Sequence, residues 1–225
     1  YHKRCLEVCR KYDVLYISDE VVTAFGRLGH WFASKEVFGI EPDIITCAKG
    51  LTSGYVPMGA CIISDQIFHQ ISGERSQGAE FSNGYTYSGH PVSSAAALKN
   101  IEIIENEGLL EHVRRISPYF QQRLQELGKL QLVGDTRGAG LVGCVECQIN
   151  DPDSDHALEM DIAIGSRIDK HCQEMGLIVR PLRNMCVFSP PLIITKEQIN
   201  EMFNILEQGI LMAAEELSKE GLLKG

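Results

Sequence analysis

The sequence predicts an α/β protein with a larger first domain and a smaller second one. Three short apolar runs in the first 90 residues each end at polar residues, as strands do: 14–17, 44–48 and 60–63. Their residues are apolar in succession, which is typical of strands in a parallel or mixed sheet that is covered on both faces. Helical periodicity and helix stop signals account for much of the remaining chain.

A short helix should end near residue 11, before the first strand. A long helix is predicted over 91–107, because Pro91 suits a first turn and Gly108 suits a stop. A capping box of Thr195 and Gln198 marks the start of a final helix. The other predicted elements are helices over 110–127 and 157–175 and strands over 141–149, 177–179 and 186–188.

Composition excludes several classes of protein. The 225 residues are 44% hydrophobic and 23% charged, which is typical of a globular fold and not of a disordered chain. The formal charge is 21 − 30 = −9, so the chain lacks the basic surface that nucleic-acid binding requires. No apolar run approaches the ~20 residues that span a bilayer. We therefore expect neither a nucleic-acid partner nor a membrane partner.

The eight cysteines do not resemble a disulfide framework, because most of them lie within apolar runs. Abundant thiols without a secretory signal predict a reducing compartment, here the cytoplasm. The chain begins at Tyr1 without an initiator Met, and helical spacing starts with the first residues. We therefore expect a fragment of a longer protein.

Two motifs resemble binding sites but predict none. Residues 138–143 match G-x-G-x-x-G, yet they precede an alternating strand pattern, whereas a dinucleotide fingerprint opens a helix. Cys144 and Cys147 form C-x-x-C on that strand, where residues three apart point to opposite faces. The histidines show no metal-ligand spacing, so no metal site is predicted.

Two ionisable residues follow predicted strands at the edge where such sheets bind ligands. Asp19 follows the first strand and Lys49 follows the second. One interpretation is structural, with a buried Asp–Lys ion pair or two strand-end residues that reach solvent. The alternative is a reactive amine, its pKa lowered by burial, near an acid that holds a cationic ring.

Three segments carry a family resemblance, in the family's order: D-E-V-x-T-x-F-G-R-x-G at 19–29, A-K-G-L-T-S-G-Y-V-P-M-G-A at 48–60 and G-Y-T-Y-S-G-H-P at 84–91. On these motifs the chain resembles the C-terminal half of class III (omega) aminotransferases, pyridoxal-phosphate enzymes of fold type I. The resemblance implies part of a large cofactor-binding domain with a mostly parallel sheet (1–90), connecting helices (91–128) and a small C-terminal α/β domain (129–225).

The resemblance also implies a role for each of five residues. Lys49 matches the catalytic lysine that forms the internal Schiff base with pyridoxal 5′-phosphate, and Asp19 matches the carboxylate that pairs with the pyridine nitrogen. Val21 matches the residue that packs on the ring face. Thr86 matches a hydroxyl donor to the cofactor phosphate across a dimer interface. Arg180 matches the arginine that binds the substrate carboxylate.

Within the family, residues 51–55 and 84–91 resemble the pyruvate-dependent branch of the putrescine–pyruvate or beta-alanine–pyruvate type. This resemblance implies transfer of an amino group from an amine or omega-amino acid to pyruvate. The reaction would be ping-pong through pyridoxamine phosphate, in a homodimer that takes a small-molecule amine donor and a keto-acid acceptor.

Departures from the family pattern leave alternatives open. Pro181 and Arg183 follow Arg180, where the family more often has small residues and an acid. Nothing matches the family's N-terminal half, which supplies the phosphate-binding turn and an aromatic ring stacked on the cofactor. The alternatives are a catalytically incomplete fragment without activity, a same-fold aminomutase or decarboxylase, and a binding module.

Overall fold

The chain divides into two compact units, Tyr1–Glu111 and His112–Gly225. They are seen in a computed structural model that describes residues 1–74, 76, 78–79, 81–149 and 157–223. The first unit contains a three-stranded sheet and the second a four-stranded sheet.

The first unit alternates short strands with helices. Its strands are β1 (Ile17–Asp19), β2 (Ile44–Cys47) and β3 (Ala60–Ile63). Its helices are α1 (His2–Lys11), α2 (Ala33–Glu36), α3 (Asp65–Ile71) and α4 (Pro91–Asn106), and a 3-10 helix covers Lys49–Leu51. Helix α5 (Leu109–Glu126) begins in this unit and continues into the second.

The first sheet is mixed, whereas the resemblance implied a mostly parallel one. Its order is β1-β2-β3; β1 pairs with β2 in parallel, and β2 pairs with β3 in antiparallel orientation. A parallel return needs a crossover, usually a helix of several turns. Only one short 3-10 helix lies between β2 and β3, so β3 runs back alongside β2.

The strands of this sheet are not covered on both faces as their apolar runs predicted. Ile17 on β1 is 58% exposed and Ile62 on β3 is 43% exposed, and Cys61 is exposed as well. The apolar core of the unit lies elsewhere, where the chain after β1 meets the end of β2 and α4. That core contains Ala24, Phe25, Cys47, Leu51, Ala97 and Ile104.

The second unit places an antiparallel sheet against helices. Its strands are β4 (Val133–Ala139), β5 (Val142–Cys147), β6 (Arg180–Leu182) and β7 (Met185–Phe188), in the order β4-β5-β7-β6. Its helices are α6 (Ala157–Glu174) and α7 (Lys196–Lys219), and a 3-10 helix covers Leu127–Lys129. Alternate residues of β5 and β7 are buried, so one face of the sheet packs on the helices.

Both misleading motifs have the structural roles that the sequence predicted. Residues 138–143 form the tight connection between β4 and β5, which are antiparallel, and no helix follows them. Cys147 is fully buried and Cys144 is partly exposed, which confirms that they lie on opposite faces of β5. Burial raises the pKa of Cys147 to about 12, so this thiol is neutral at physiological pH. All eight cysteines are free.

The capping box at the start of α7 is confirmed, because the Thr195 side chain accepts from the Gln198 N–H and the Gln198 side chain accepts from the Thr195 N–H. Within the described residues, no helix is long and apolar enough to cross a membrane.

Candidate active site

Asp19 and Lys49 lie at the same edge of the first sheet. Strands β1 and β2 are parallel, and Asp19, the last residue of β1, pairs with Thr46 of β2. Strand β2 ends one residue later, at Cys47, and Lys49 begins the 3-10 helix that follows. The carboxyl ends of parallel strands are the usual ligand-binding edge of an α/β sheet. The structure therefore brings together the two residues that the sequence singled out.

Both side chains are exposed. This exposure contradicts both the buried Asp–Lys ion pair and the buried reactive amine that the sequence suggested, and it agrees with two strand-end residues that reach solvent. One carboxylate oxygen of Asp19 accepts a hydrogen bond from the backbone N–H of Val21 at 3.0 Å. This contact fixes the carboxylate at the strand end while leaving its other oxygen for a ligand. A carboxylate and an amine that reach solvent at one sheet edge can both contact a ligand bound there.

The backbone at Lys49 is in an uncommon conformation. Its φ is +40°, in the left-handed region that residues with a side chain rarely adopt. Such conformations persist only where the surroundings hold them, and they are concentrated at functional sites. The 3-10 helix ends at Leu51, and the hydroxyl of the next residue, Thr52, donates to the Val56 carbonyl at 2.7 Å.

The carboxylate next to Asp19 has a structural role that the sequence did not reveal. Glu20 is 1% exposed and accepts hydrogen bonds from the backbone N–H groups of Ala33 at 2.6 Å and Ser34 at 2.8 Å. The hydroxyls of Ser34 and Thr23 also donate to it. Glu20 thus ties the start of α2 to the end of β1. Its partners Ala33 and Ser34 are 13 and 14 residues away in the sequence, so no local spacing signal could have indicated them.

The segment after Glu20 first makes a turn that contains Val21, in which the Ala24 N–H donates to the Glu20 carbonyl at 3.1 Å, and then forms a closed loop over 25–31. Two backbone hydrogen bonds close it, from the Phe25 N–H to the Trp31 carbonyl at 2.8 Å and from the Gly26 N–H to the His30 carbonyl at 3.0 Å. Burial lowers the pKa of Arg27 in this loop to about 10, which still leaves it protonated at neutral pH. The motif at 19–29 therefore consists of a hydrogen-bonded turn and most of the loop that follows it.

Thr86 lies in a different environment from Asp19 and Lys49. It belongs to an exposed turn before α4, in which the Ser88 hydroxyl accepts from the Tyr85 N–H at 3.1 Å. The flanking Tyr85 and Tyr87 are about 80% exposed, at 81% and 80%. Aromatic side chains so far out of the core are typical of a surface that contacts another molecule.

Arg180 belongs to the second unit, where it begins the edge strand β6. In the register of the sheet, Arg180 lies opposite Val187 of β7. Val187 lies opposite Cys144 of β5, which lies opposite Arg137 of β4. All four residues are on the sheet face that does not pack on the helices. A cleft of about 390 Å³ adjoins Arg180. It is lined largely by apolar residues, among them Ile178, Val187, Phe188 and Pro190. A cationic group beside an apolar cleft can bind a carboxylate with a short carbon chain.

A comparison with protein-family models decides the family. The model described as aminotransferase class-III matches residues 1–210. The chain belongs to the class-III aminotransferases. Among curated relatives, a putrescine–pyruvate aminotransferase of Pseudomonas aeruginosa is 42% identical over 91% of this chain and 44% of its own length. A mitochondrial gamma-aminobutyrate transaminase 1 of Solanum lycopersicum is 38% identical over 91% of the chain and 39% of its own length.

Solved structures agree with this aminotransferase assignment. The PMP-bound form of an aminotransferase from Vibrio fluvialis superposes with a TM-score of 0.83 at 38% identity, covering 96% of this chain and 47% of that one. The predicted fold class is confirmed: α/β, fold type I. This aminotransferase chain spans less than half the length of the two relatives described above.

Family membership also establishes the chemistry class. Class-III aminotransferases are transferases that use pyridoxal 5′-phosphate, as the sequence predicted. The residues at the sheet edge fit this cofactor, since an exposed carboxylate suits a protonated ring nitrogen and an exposed amine suits an aldehyde. Among the residues that the structure describes, no group of three or more His, Cys, Asp or Glu side chains could hold a metal ion.

Proposed function

We propose that this chain provides the lysine and the ring-nitrogen carboxylate of a transaminase that moves an amino group from an amine or omega-amino acid to pyruvate. The observation that carries the proposal is the placement of Asp19 and Lys49, both exposed, at the carboxyl edge of the parallel pair β1–β2. The two side chains can therefore reach one ligand from adjacent strands.

When bound, pyridoxal 5′-phosphate supplies an aldehyde that carries the amino group and a ring that withdraws electrons from the substrate carbon. Asp19 would pair with the ring nitrogen, because an opposite charge favours the protonated form of that nitrogen. Lys49 would hold the cofactor through its aldehyde and, as a general base and then a general acid, would move the proton of the substrate carbon. Val21, two residues beyond Asp19, would pack against the ring.

In this proposal, Thr86 contributes to the cofactor site of a second subunit. Its exposed turn, flanked by two exposed tyrosines, supports contact with another copy of the protein. There the hydroxyl donates a hydrogen bond to the cofactor phosphate of the partner's site. The active protein is accordingly a homodimer.

Arg180 binds the carboxylate of pyruvate, and the apolar cleft beside it accepts the carbon chain. Pyruvate is the proposed acceptor because the family motifs at 51–55 and 84–91 resemble the pyruvate-dependent branch, and one relative is named for putrescine and pyruvate. Other relatives are named for gamma-aminobutyrate, which supports the wider donor class of amines and omega-amino acids. We expect the protein to act in the cytoplasm.

The experiment that tests this function measures alanine formed from pyruvate. The purified protein is supplied with pyridoxal 5′-phosphate and with putrescine, beta-alanine or gamma-aminobutyrate in turn. We expect alanine to form at a rate that depends on both donor and pyruvate, with parallel double-reciprocal plots, since the two half-reactions are ping-pong. The Lys49→Arg variant should form none, whereas Lys99→Arg, at an exposed lysine of α4, should match the unsubstituted protein.

The same assay separates the alternatives. Turnover of a donor without any keto acid would indicate an aminomutase, and release of carbon dioxide from an amino acid would indicate a decarboxylase. An absence of all three activities would identify a catalytically incomplete chain. Any of these results would contradict the proposed transaminase function.

A further inference from the structure

One polar side chain of α4 reaches into the turn that carries Lys49. Asn100 is half-buried, and its side-chain nitrogen lies 2.8 Å from the Gly50 carbonyl oxygen and 3.2 Å from the Leu51 carbonyl oxygen. The amide nitrogen has two hydrogens, so one group can donate to both acceptors at once. The two carbonyls belong to the residues immediately after Lys49 and lie about 50 positions from Asn100 in the sequence, at separations of 50 and 49.

These two carbonyls need a partner. A 3-10 helix of only three residues leaves its last carbonyl groups without donors of its own. The Ser53 N–H reaches the Gly50 carbonyl only at 3.4 Å, a long hydrogen bond. Asn100 therefore supplies the short contact that ends this helix.

The opposite side of the turn is also fixed. A Cβ added to Gly50 would lie 3.0 Å from the Phe25 Cβ and 3.4 Å from the Ala24 carbonyl oxygen, so the turn packs closely on the loop after β1. Asn100 holds it from α4, and the Phe25 loop limits it from the other side. Between these two contacts, Lys49 keeps a φ of +40° that a free chain would avoid.

We propose that Asn100 is a positioning residue for the Lys49 amine, acting through its paired hydrogen bonds to the Gly50 and Leu51 carbonyls. The inference rests on the proposed function of Lys49. Without these bonds the turn relaxes toward ordinary backbone angles, and the amine leaves the geometry at which it meets the cofactor aldehyde. A displaced amine reacts much more slowly, because the reacting atoms must lie within a narrow range of distance and angle.

Two substitutions separate the possible causes of an effect. Asn100→Asp keeps the shape of the side chain, removes both donors and adds a negative charge. Asn100→Ala removes the donors without adding charge. Asn106→Asp and Asn106→Ala repeat the two changes at the exposed last residue of the same helix and serve as matched controls.

Two readouts are measured on the 225-residue chain. The first is the rate at which pyridoxal 5′-phosphate with borohydride modifies Lys49, followed by peptide mass mapping across a range of pH. The second is amide hydrogen exchange of the peptide that covers residues 49–56. The thermal midpoint of each variant shows whether it is folded. A merely structural role would lower the midpoint and leave the modification rate of Lys49 in the folded variant unchanged.

In both Asn100 variants we expect pyridoxal 5′-phosphate to modify Lys49 about tenfold more slowly, as the loss of two hydrogen bonds implies. In both Asn106 variants the rate should match that of the unsubstituted chain. Only Asn100→Asp should also shift the pH profile upward, because its carboxylate favours the protonated amine. Exchange at 49–56 should accelerate in both Asn100 variants.

Equal modification rates and equal exchange in the Asn100 variants and the unsubstituted chain would overturn the inference and leave the proposed function intact. If Lys49 of the unsubstituted chain is not modified at all, the proposed function fails, and with it the assignment of Asn100 as a positioning residue. Hydrogen exchange then still shows whether Asn100 holds the turn as a purely structural contact.

Discussion

At the scale of single residues, Asp19 and Lys49 are the side chains proposed to act on a ligand, whereas Glu20 and Asn100 form hydrogen bonds with the backbone nearby. Asp19 and Lys49 follow apolar runs, and their position at strand ends could be derived from that pattern alone. The roles of Glu20 and Asn100 could not be found in this way, because the backbone groups that they bind are 13 to 50 positions away and become neighbours only in the folded chain. The structural role of a polar residue depends on such distant contacts.

Glu20 gives a direct test of this distinction. Replacing it with Gln should lower the free energy of unfolding by about 1–3 kcal/mol, because an amide NH₂ would then face the N–H donors of Ala33 and Ser34. Denaturant titration measures the change. Glu36→Gln, at an exposed carboxylate of α2, should leave the stability within experimental error. Equal stability of the two variants would contradict the role given to Glu20.

The carboxyl group of Asp43 should make the free energy of unfolding depend on pH. Burial raises the pKa of its carboxyl, but hydrogen bonds from Arg10 at 2.6 Å and the Tyr16 N–H at 2.7 Å outweigh burial, so the pKa is lowered overall. A lowered folded-state pKa contributes stability that is fully present above the unfolded value of about 3.9 and is lost as the pH falls through the folded value.

Asp43→Asn should therefore be less stable than the unsubstituted chain at neutral pH and should differ less and less as the pH falls below about 4. Urea titrations at several pH values measure this difference. Asp13→Asn, at an exposed position, should run parallel to the unsubstituted chain. A difference for Asp43→Asn that stays constant at every pH would show that its ionisation is not linked to folding.

At the scale of elements, the sequence predicted the long helices and most strands. Strand β1 begins later than its apolar run. The Val14 N–H donates to the Cys9 carbonyl and the Tyr16 N–H donates to Asp43, so neither N–H group is available to a sheet.

The strand predicted at 177–179 lies instead at β6, because the Leu177 N–H closes the end of α6 by donating to the Cys172 carbonyl. Strand β4 was missed because glycine and charged residues interrupt its apolar pattern.

Helix α6 and the turn between β6 and β7 pack closely at one glycine. A Cβ on Gly165 would lie 1.8 Å from the Arg183 carbonyl oxygen and 3.0 Å from the Pro181 Cβ. Gly165→Ala should therefore lower the free energy of unfolding by about 1–3 kcal/mol, although alanine favours helices more than glycine does. Ser166→Ala, at the exposed neighbouring position, is the control. A more stable Gly165→Ala variant in denaturant titrations would contradict this close packing.

At the scale of the whole molecule, the family motifs predicted the fold class, and local patterning predicted the order of elements. Neither could predict that the first sheet leaves Ile17 and Ile62 exposed, because apolar runs show which residues can be buried and not what covers them. The domain limits at 90 and 128 remain predictions of the resemblance, beside the division into two units at Glu111 and His112.

We expect the protein to assemble as a dimer. The 25.0 kDa chain should sediment as a dimer of twice that mass. Replacing both Tyr85 and Tyr87 with Ser should weaken the dimer, because these side chains are exposed beside Thr86. Tyr12→Ser, at another exposed tyrosine, should not weaken it. Sedimentation of the unsubstituted protein as a monomer at every concentration would contradict the proposed homodimer.

The most direct test of the central claim is to locate the lysine that reacts with pyridoxal 5′-phosphate. The 225-residue chain is mixed with the cofactor and reduced with borohydride, and the mass of each lysine-containing peptide is measured by peptide mass mapping. The account predicts a reduced cofactor adduct on the peptide that contains Lys49, lost in Lys49→Arg and retained in Lys99→Arg. An adduct spread evenly over the exposed lysines, or one that persists in Lys49→Arg, would contradict the assignment of Lys49 as the reactive amine.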